Sequence, residues 1–179
     1  MAPLTARPRL RVVAGIVALA ILSLGGNAAA EPTDISVKAA FLPRFVRYVT
    51  WPPAAMPTGS DPFRLCVIGS DPFGPLLDQA AASQLIDGRH IVVRRMNSTT
   101  TAGNCQIAFV SSNRVDELSE FGARPVLTVT DGSSPGPRGI IHFVVVGGRV
   151  RFFIDQALAE RRKLNISSRL LALALGVHQ

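Results

Sequence analysis

The sequence predicts an α/β fold: a mainly parallel sheet flanked by helices, with a C-terminal antiparallel hairpin added to it. Between residues 63 and 131, short apolar runs alternate with helix-like segments. That alternation implies right-handed crossovers between parallel strands. From residue 140 the pattern changes, and two strand-like runs flank Gly147-Gly148, a two-residue turn suited to a hairpin. Length completes the prediction. The chain has 179 residues, and removing a leader of thirty leaves 149, suited to a single domain over 31–179.

Residues 1–30 read as a secretory signal peptide. Arg7, Arg9 and Arg11 form a positive start, and Val12 to Leu24 is an apolar run broken only by Gly15 and Ser23. Asn27-Ala28-Ala29-Ala30 offers small residues for cleavage near Ala30. The run is short for a membrane span, which needs ~20 apolar residues, so an uncleaved anchor is the weaker alternative. No cysteine lies at the cleavage point, which argues against a lipid anchor. The chain is therefore expected to be exported. Without the leader, 16 basic and 12 acidic residues remain, a net charge of +4 against +7 for the whole chain. The arginines are scattered, so no nucleic acid is expected as a partner.

The remaining elements follow in order. Residues 34–51 carry Val37, Phe41, Phe45 and Tyr48 at helical spacing, widened by Ala40 and Val49, with Lys38, Arg44 and Arg47 off the stripe. Pro43 must kink this helix or disturb its first turns. Trp51-Pro52-Pro53 ends it. Phe63 to Gly69 reads as a strand buried on both faces. A helix is expected from about Phe73 to Ala82, a turn at Asp87-Gly88, and a strand from His90 to Met96. Cys105 to Ser112 is the third strand. Residues 113–122 form a helix capped by Ser112 or Asn113 and ended by Gly122. The fourth strand is Pro125 to Asp131. In the hairpin, alternation places Ile141, Phe143, Val145, Val150, Phe152 and Ile154 on the core face. His142, Val144, Val146, Arg149, Arg151 and Phe153 fall on the other. A helix over Gln156–Lys163 and another after Ser167 or Ser168 complete the chain.

Few patterns carry chemistry. Gly69 to Gly74 has the glycine spacing of a phosphate loop, but Pro75 and Leu76 stand where Lys and Ser/Thr would be needed. Asp71 would repel a phosphate, so a helix-capping Asp-Pro turn is the preferred reading. His90, His142 and His178 share no ligand spacing. Asp71, Asp78 and Asp87 are spread over a loop, a helix and a turn, and no nucleophile elbow is present. No catalytic residue, metal or cofactor is expected. The cluster Arg161-Arg162-Lys163 reads as a solvated helix end. Cys66 and Cys105 are the two cysteines of an exported chain, so a disulfide is the default and two buried free thiols the alternative. Phe153 breaks pattern by pointing away from the core with Arg149 and Arg151. Either a helix covers it, for which the N-terminal stripe is available, or it is open to a partner.

The chain resembles the YfiR-like family of periplasmic proteins. Val37-Lys38-Ala39-Ala40-Phe41-Leu42, Phe45-Val46 and Trp51-Pro52 carry the resemblance at the start. Arg64 to Gly69, Asp71-Pro72-Phe73-Gly74, Pro125 to Val129 and Gly148 to Phe152 continue it. Leu164, Ile166-Ser167-Ser168 and Leu170-Leu171 end it. The resemblance implies a regulator, not an enzyme, that represses an inner-membrane diguanylate cyclase by binding its periplasmic region. It thereby implies control of cyclic diguanylate, biofilm and motility. An outer-membrane lipoprotein that relieves repression is a further partner it brings into view, and a homodimer is left open by the sequence. It also implies that redox state is an input, with Cys66 and Cys105 matching the family's common cysteine pair. Departures fall at Pro43-Arg44, His142 and Phe153, the last standing where an acidic residue is usual. Arg149, Arg151 and Phe153 are the candidate partner contacts. The rival readings are a periplasmic small-ligand sensor without a cyclase partner, with its pocket after Gly69 or at the strand ends, and, ranked last, an unrecognised hydrolase.

Overall fold

The computed structural model describes residues 33–101, 103–132 and 136–179. The segment read as a signal peptide lies outside the described residues. Helix α1 (Asp34–Arg44) begins where Thr33 Oγ1 accepts the Ser36 N–H at 3.2 Å, with Asp34 in its positive first turn. It does not run on to residue 51. It tightens into a 3₁₀ turn at Phe45–Tyr48 and then becomes the short strand β1 (Val49–Thr50). Pro43 cannot supply the N–H that would bond the Ala39 carbonyl, so α geometry ends within a turn. The buried side chains are Lys38, Ala39, Leu42 and Pro43, followed by Phe45 and Val46, while Val37, Phe41 and Tyr48 are half-buried. Lys38 can face inward because Nζ donates to both carboxylate oxygens of Asp131, at 2.8 and 2.9 Å.

The central strands are β2 (Phe63–Ile68), β3 (Leu85–Ile86), β4 (Arg89–Met96), β5 (Ile107–Val110) and β6 (Leu127–Asp131). Helix α2 (Pro75–Ala82) crosses between β2 and β3. The expected α-helix over 113–122 is instead a 3₁₀ segment, Ser112–Phe121, with no side-chain cap. Neither Ser112 nor Asn113 caps it. The preceding Ser111 caps no backbone N–H of the segment: its hydroxyl lies 3.0 Å from Ile68 O and 2.5 Å from Asn113 Oδ1, and it accepts the Ser70 N–H at 3.0 Å. The hairpin is β7 (Ile141–Val146) and β8 (Arg149–Asp155), with Gly147 and Gly148 at φ +58° and +69° as its turn demands. Helix α3 (Gln156–Arg161), β9 (Asn165–Ile166), α4 (Ser168–Leu171) and β10 (Gly176–His178) follow. Asp155 and Ser167 cap the two helices.

Eight strands form one mixed, mainly parallel sheet in the order β10-β8-β7-β6-β5-β2-β4-β3, and β1 pairs antiparallel with β9. The antiparallel contacts within the sheet are β7–β8 and β3–β4. His178 stands opposite Asp155 in the parallel β8–β10 pair. One sheet face carries most of the core. Phe45, Phe143 and Phe152 meet there with ring centres 5.6–6.5 Å apart, and Leu42, Leu77, Ala159 and Leu170 close over them. The other face carries a smaller core of Cys66, Ile68, Ala108 and Val110 beneath Leu118, Phe121 and Val126. Cys66 and Cys105 are bonded across it, Cα atoms 5.9 Å apart.

Arg162 corrects the sequence reading of a solvated cluster. It is buried, with Nε donating to Gly122 O at 3.0 Å and Nη1 to Thr128 Oγ1 at 3.1 Å. Its guanidinium lies over the Phe121 ring, 5.6 Å from the centroid. The small second core thus includes a cation because carbonyls and an aromatic face receive it. Val145 is a further correction: at 45% exposure it is not core, since the tip of the hairpin runs past the elements that bury Phe143 and Phe152.

Candidate functional site

The loop after β2 is spent on the fold. Gly69 sits at φ +85°, and a Cβ there would collide with Ser111 Oγ. The Ser70 N–H bonds Ser111 Oγ, and the Phe73 N–H bonds Asp71 Oδ1 at 2.8 Å, so these two donors are committed to the loop itself. Arg95 then gathers Asp71 (2.7 Å), Asp78 (2.7 Å) and the Gly74 carbonyl (3.0 Å). The structure therefore does bring two of the three dispersed aspartates together. They meet around a cation that holds the Asp78 carboxyl below its ordinary range and raises Arg95 above its own. A carboxylate so neutralised is poorly suited to take a proton.

His142 is buried beneath the outer half of the second face. Nε2 faces the Gly132 carbonyl at 2.9 Å, so it carries the hydrogen, and Nδ1 accepts from Thr130 Oγ1 at 2.8 Å. Thr130 in turn accepts the Gly139 N–H at 2.9 Å. Burial, aided by the positive charge of Arg138, pushes the imidazole pKa down. A neutral histidine ties both ends of the 132–139 connection to the sheet. Among the described residues, no three His, Cys, Asp or Glu side chains gather as a metal site would need.

The open part of the molecule lies at the hairpin. Arg149 and Arg151 are exposed, and no ion pair involves either among the described residues. Phe153 is half-buried, and its cover is not the N-terminal helix, which packs on the opposite face through Phe41 against Phe143 and Phe152. Its ring lies instead against Gly176 of β10, where a Cβ would come within 3.1 Å of Phe153 Cδ1. Around these residues stand Val146 at 51% exposure and Leu175 at 39%. A hollow of about 480 Å³ runs between Val144, Val146, Phe153 and Leu175, with the Lys38–Asp131 pair at its edge. The structure thus groups the three residues singled out by alternation. Alternation also places Val146 on that face, and the structure adds Leu175, which precedes β10 and so lies outside the hairpin pattern.

An apolar patch edged by exposed arginines is the kind of surface that grips a partner. A model of the family described as YfiR/HmsC-like matches residues 35–175, more than half of the chain. No curated protein matches it.

Proposed function

The chain belongs to the YfiR/HmsC-like family, and from that premise we propose that it is a periplasmic, non-enzymatic regulator that binds the periplasmic region of a membrane-bound diguanylate cyclase and holds the cyclase inactive. The observation that carries this reading is the hairpin face: exposed Val146 and Leu175 beside Arg149 and Arg151. Apolar area supplies affinity there, and the arginines select a partner surface bearing carboxylates. Repression works by population shift. The regulator prefers the inactive arrangement of the sensor region and stabilises it by its differential affinity. A lipoprotein of the outer membrane, or a second copy of this chain, would relieve repression by occupying the same face.

The test uses Arg149→Glu/Arg151→Glu and, separately, Val146→Asp. Both change exposed side chains, so folding stability should stay within about 0.5 kcal/mol. Binding to the cyclase's periplasmic region should weaken by about tenfold or more, and cellular cyclic diguanylate should rise as it does on gene deletion. Full binding and unchanged cyclic diguanylate in both variants would remove the hairpin from the reading. Unchanged cyclic diguanylate on deletion, in a strain that has the cyclase, would remove the repression itself.

A further inference from the structure

A second opening lies at the opposite end of the sheet, where the parallel strands begin. A hollow of about 390 Å³ is lined by Arg64, Arg124, Asn104 and Cys105. An adjoining hollow of about 310 Å³ shares Arg64, Asn104 and Cys105 and adds Arg94. The register explains why two of the arginines meet. In the parallel β2–β4 pair, Arg64 stands opposite Val92 and Cys66 opposite Arg94. Arg64, Cys66 and Arg94 therefore rise from one face, and the two guanidinium groups flank the disulfide. The floor is fixed: buried Gln106 accepts the Arg64 N–H at 2.8 Å and donates to Ala55 O at 3.1 Å. Arg124 is held from behind by the carbonyls of Phe121 (3.3 Å) and Glu120 (3.0 Å).

The ion pairs seen among the described residues do not reach this cleft. Lys38 is matched by Asp131, Arg95 by Asp71 and Asp78, and Arg114 by Glu117. Among the described residues, none of Arg64, Arg94 and Arg124 has an ion pair. The one acid on the wall, Asp61, is exposed and accepts from Thr58 Oγ1 at 3.3 Å. Three guanidinium groups around two adjoining hollows that share Arg64, with one loosely placed carboxylate on the wall of the larger, leave a local excess of positive charge. Planar guanidinium forks match carboxylate and phosphate oxygens in paired hydrogen bonds.

We propose that this cleft is a binding site for a small organic dianion, with one oxyanion group held by Arg64 and Arg94 and the second by Arg124. The volume suits a metabolite-sized ligand. The site is separate from the hairpin face, because Arg64 opens β2 whereas Val146 closes β7 at the other end of the parallel strands. It also stands independently of the cyclase-binding reading, since it rests on cations that no hairpin substitution touches.

The test is calorimetric titration and thermal unfolding of the purified protein with succinate, with inorganic phosphate, and with sodium chloride at matched ionic strength. Succinate or phosphate is expected to bind saturably with Kd below ~1 mM and to raise Tm beyond the chloride control. Tighter succinate binding assigns a dicarboxylate, and tighter phosphate binding a phosphate ester. Arg64→Gln and Arg94→Gln should each weaken binding about tenfold, and Arg151→Gln should not change it. No side-chain hydrogen bond of Arg64 or Arg94 supports the fold among the described residues, so both variants should keep the unliganded Tm. Three results would each overturn the site: no shift beyond chloride with either anion, equal affinity in the arginine variants, or unliganded Tm values that fall in both.

Discussion

The two faces of the sheet are closed by different means. On one, α1, α2, α3 and α4 contribute to a core of apolar side chains that meets the sheet through Phe45, Phe143 and Phe152. On the other, a short core is closed by the disulfide, a 3₁₀ segment and the hydrogen bonds of Arg162, and it gives out before the hairpin is reached. The first face owes its stability to area removed from water, which tolerates no opening. The second is held by a few specific bonds and leaves surface free at both ends. Both proposed sites lie at the margins of that second closure.

Phe45→Ala should break the first face most severely. The ring is 1% exposed and contacts three other phenylalanines. Removing it should cost up to about 5 kcal/mol, read from urea unfolding. Next comes the second face's covalent closure. Cys66 and Cys105 are 39 residues apart, so replacing both by serine should cost about 4 kcal/mol on the chain-entropy account. The comparison is sharpened by hydrogen exchange. The serine variant should lose protection in residues 105–121 while the central amides of α1 keep theirs. Equal loss on both faces would mean that the two closures unfold as one.

Arg162→Met ranks third. It keeps an aliphatic stem over Phe121 but leaves the Gly122 carbonyl and the Thr128 hydroxyl without this donor, so about 2–3 kcal/mol should be lost. Arg162→Lys should recover only part of it, since one ammonium cannot span both acceptors. A neutral Met variant would make Arg162 a solvated residue, as the sequence alone had suggested.

Legibility in the sequence follows the same division. Strands buried on both faces announce themselves as apolar runs, and Gly147-Gly148 announces the hairpin, because both signals are local. Lys38 and Arg162 were misread because their partners stand 93 residues away at Asp131 and 34 to 40 away at Thr128 and Gly122. The 3₁₀ segment was misread as a helix because its apolar spacing alone cannot tell that Ser111 is committed to Ile68 and Ser70. Strand β10 has three residues, too few for a period to show. Of the sites, Phe153 with Arg149 and Arg151 could be seen from alternation alone. The arginine cleft could not, since only the parallel register sets Arg64 and Arg94 on one face, diagonally across Cys66.

The smallest effect should be a pH dependence confined to the second face. His142 is buried, with its ring nitrogens committed to Thr130 and Gly132 in the neutral form. Desolvation comes first in depressing its pKa, and Arg138 and Lys38 add to it against the Gly132 hydrogen bond and Asp131. The unfolded chain takes up the proton at the ordinary value near ~6.5, before the folded chain does. The stabilisation from a neutral His142 is therefore complete above that value and is lost as pH falls below it toward the lowered folded pKa. Ordinary carboxylates titrate near ~4, so the window between about pH 7 and about pH 5 isolates the histidine. The urea midpoint of the native protein should fall across that window, and His142→Gln, less stable at the upper end, should fall less. Parallel lines for the two proteins would show that the ring accepts its proton without disturbing the 132–139 connection.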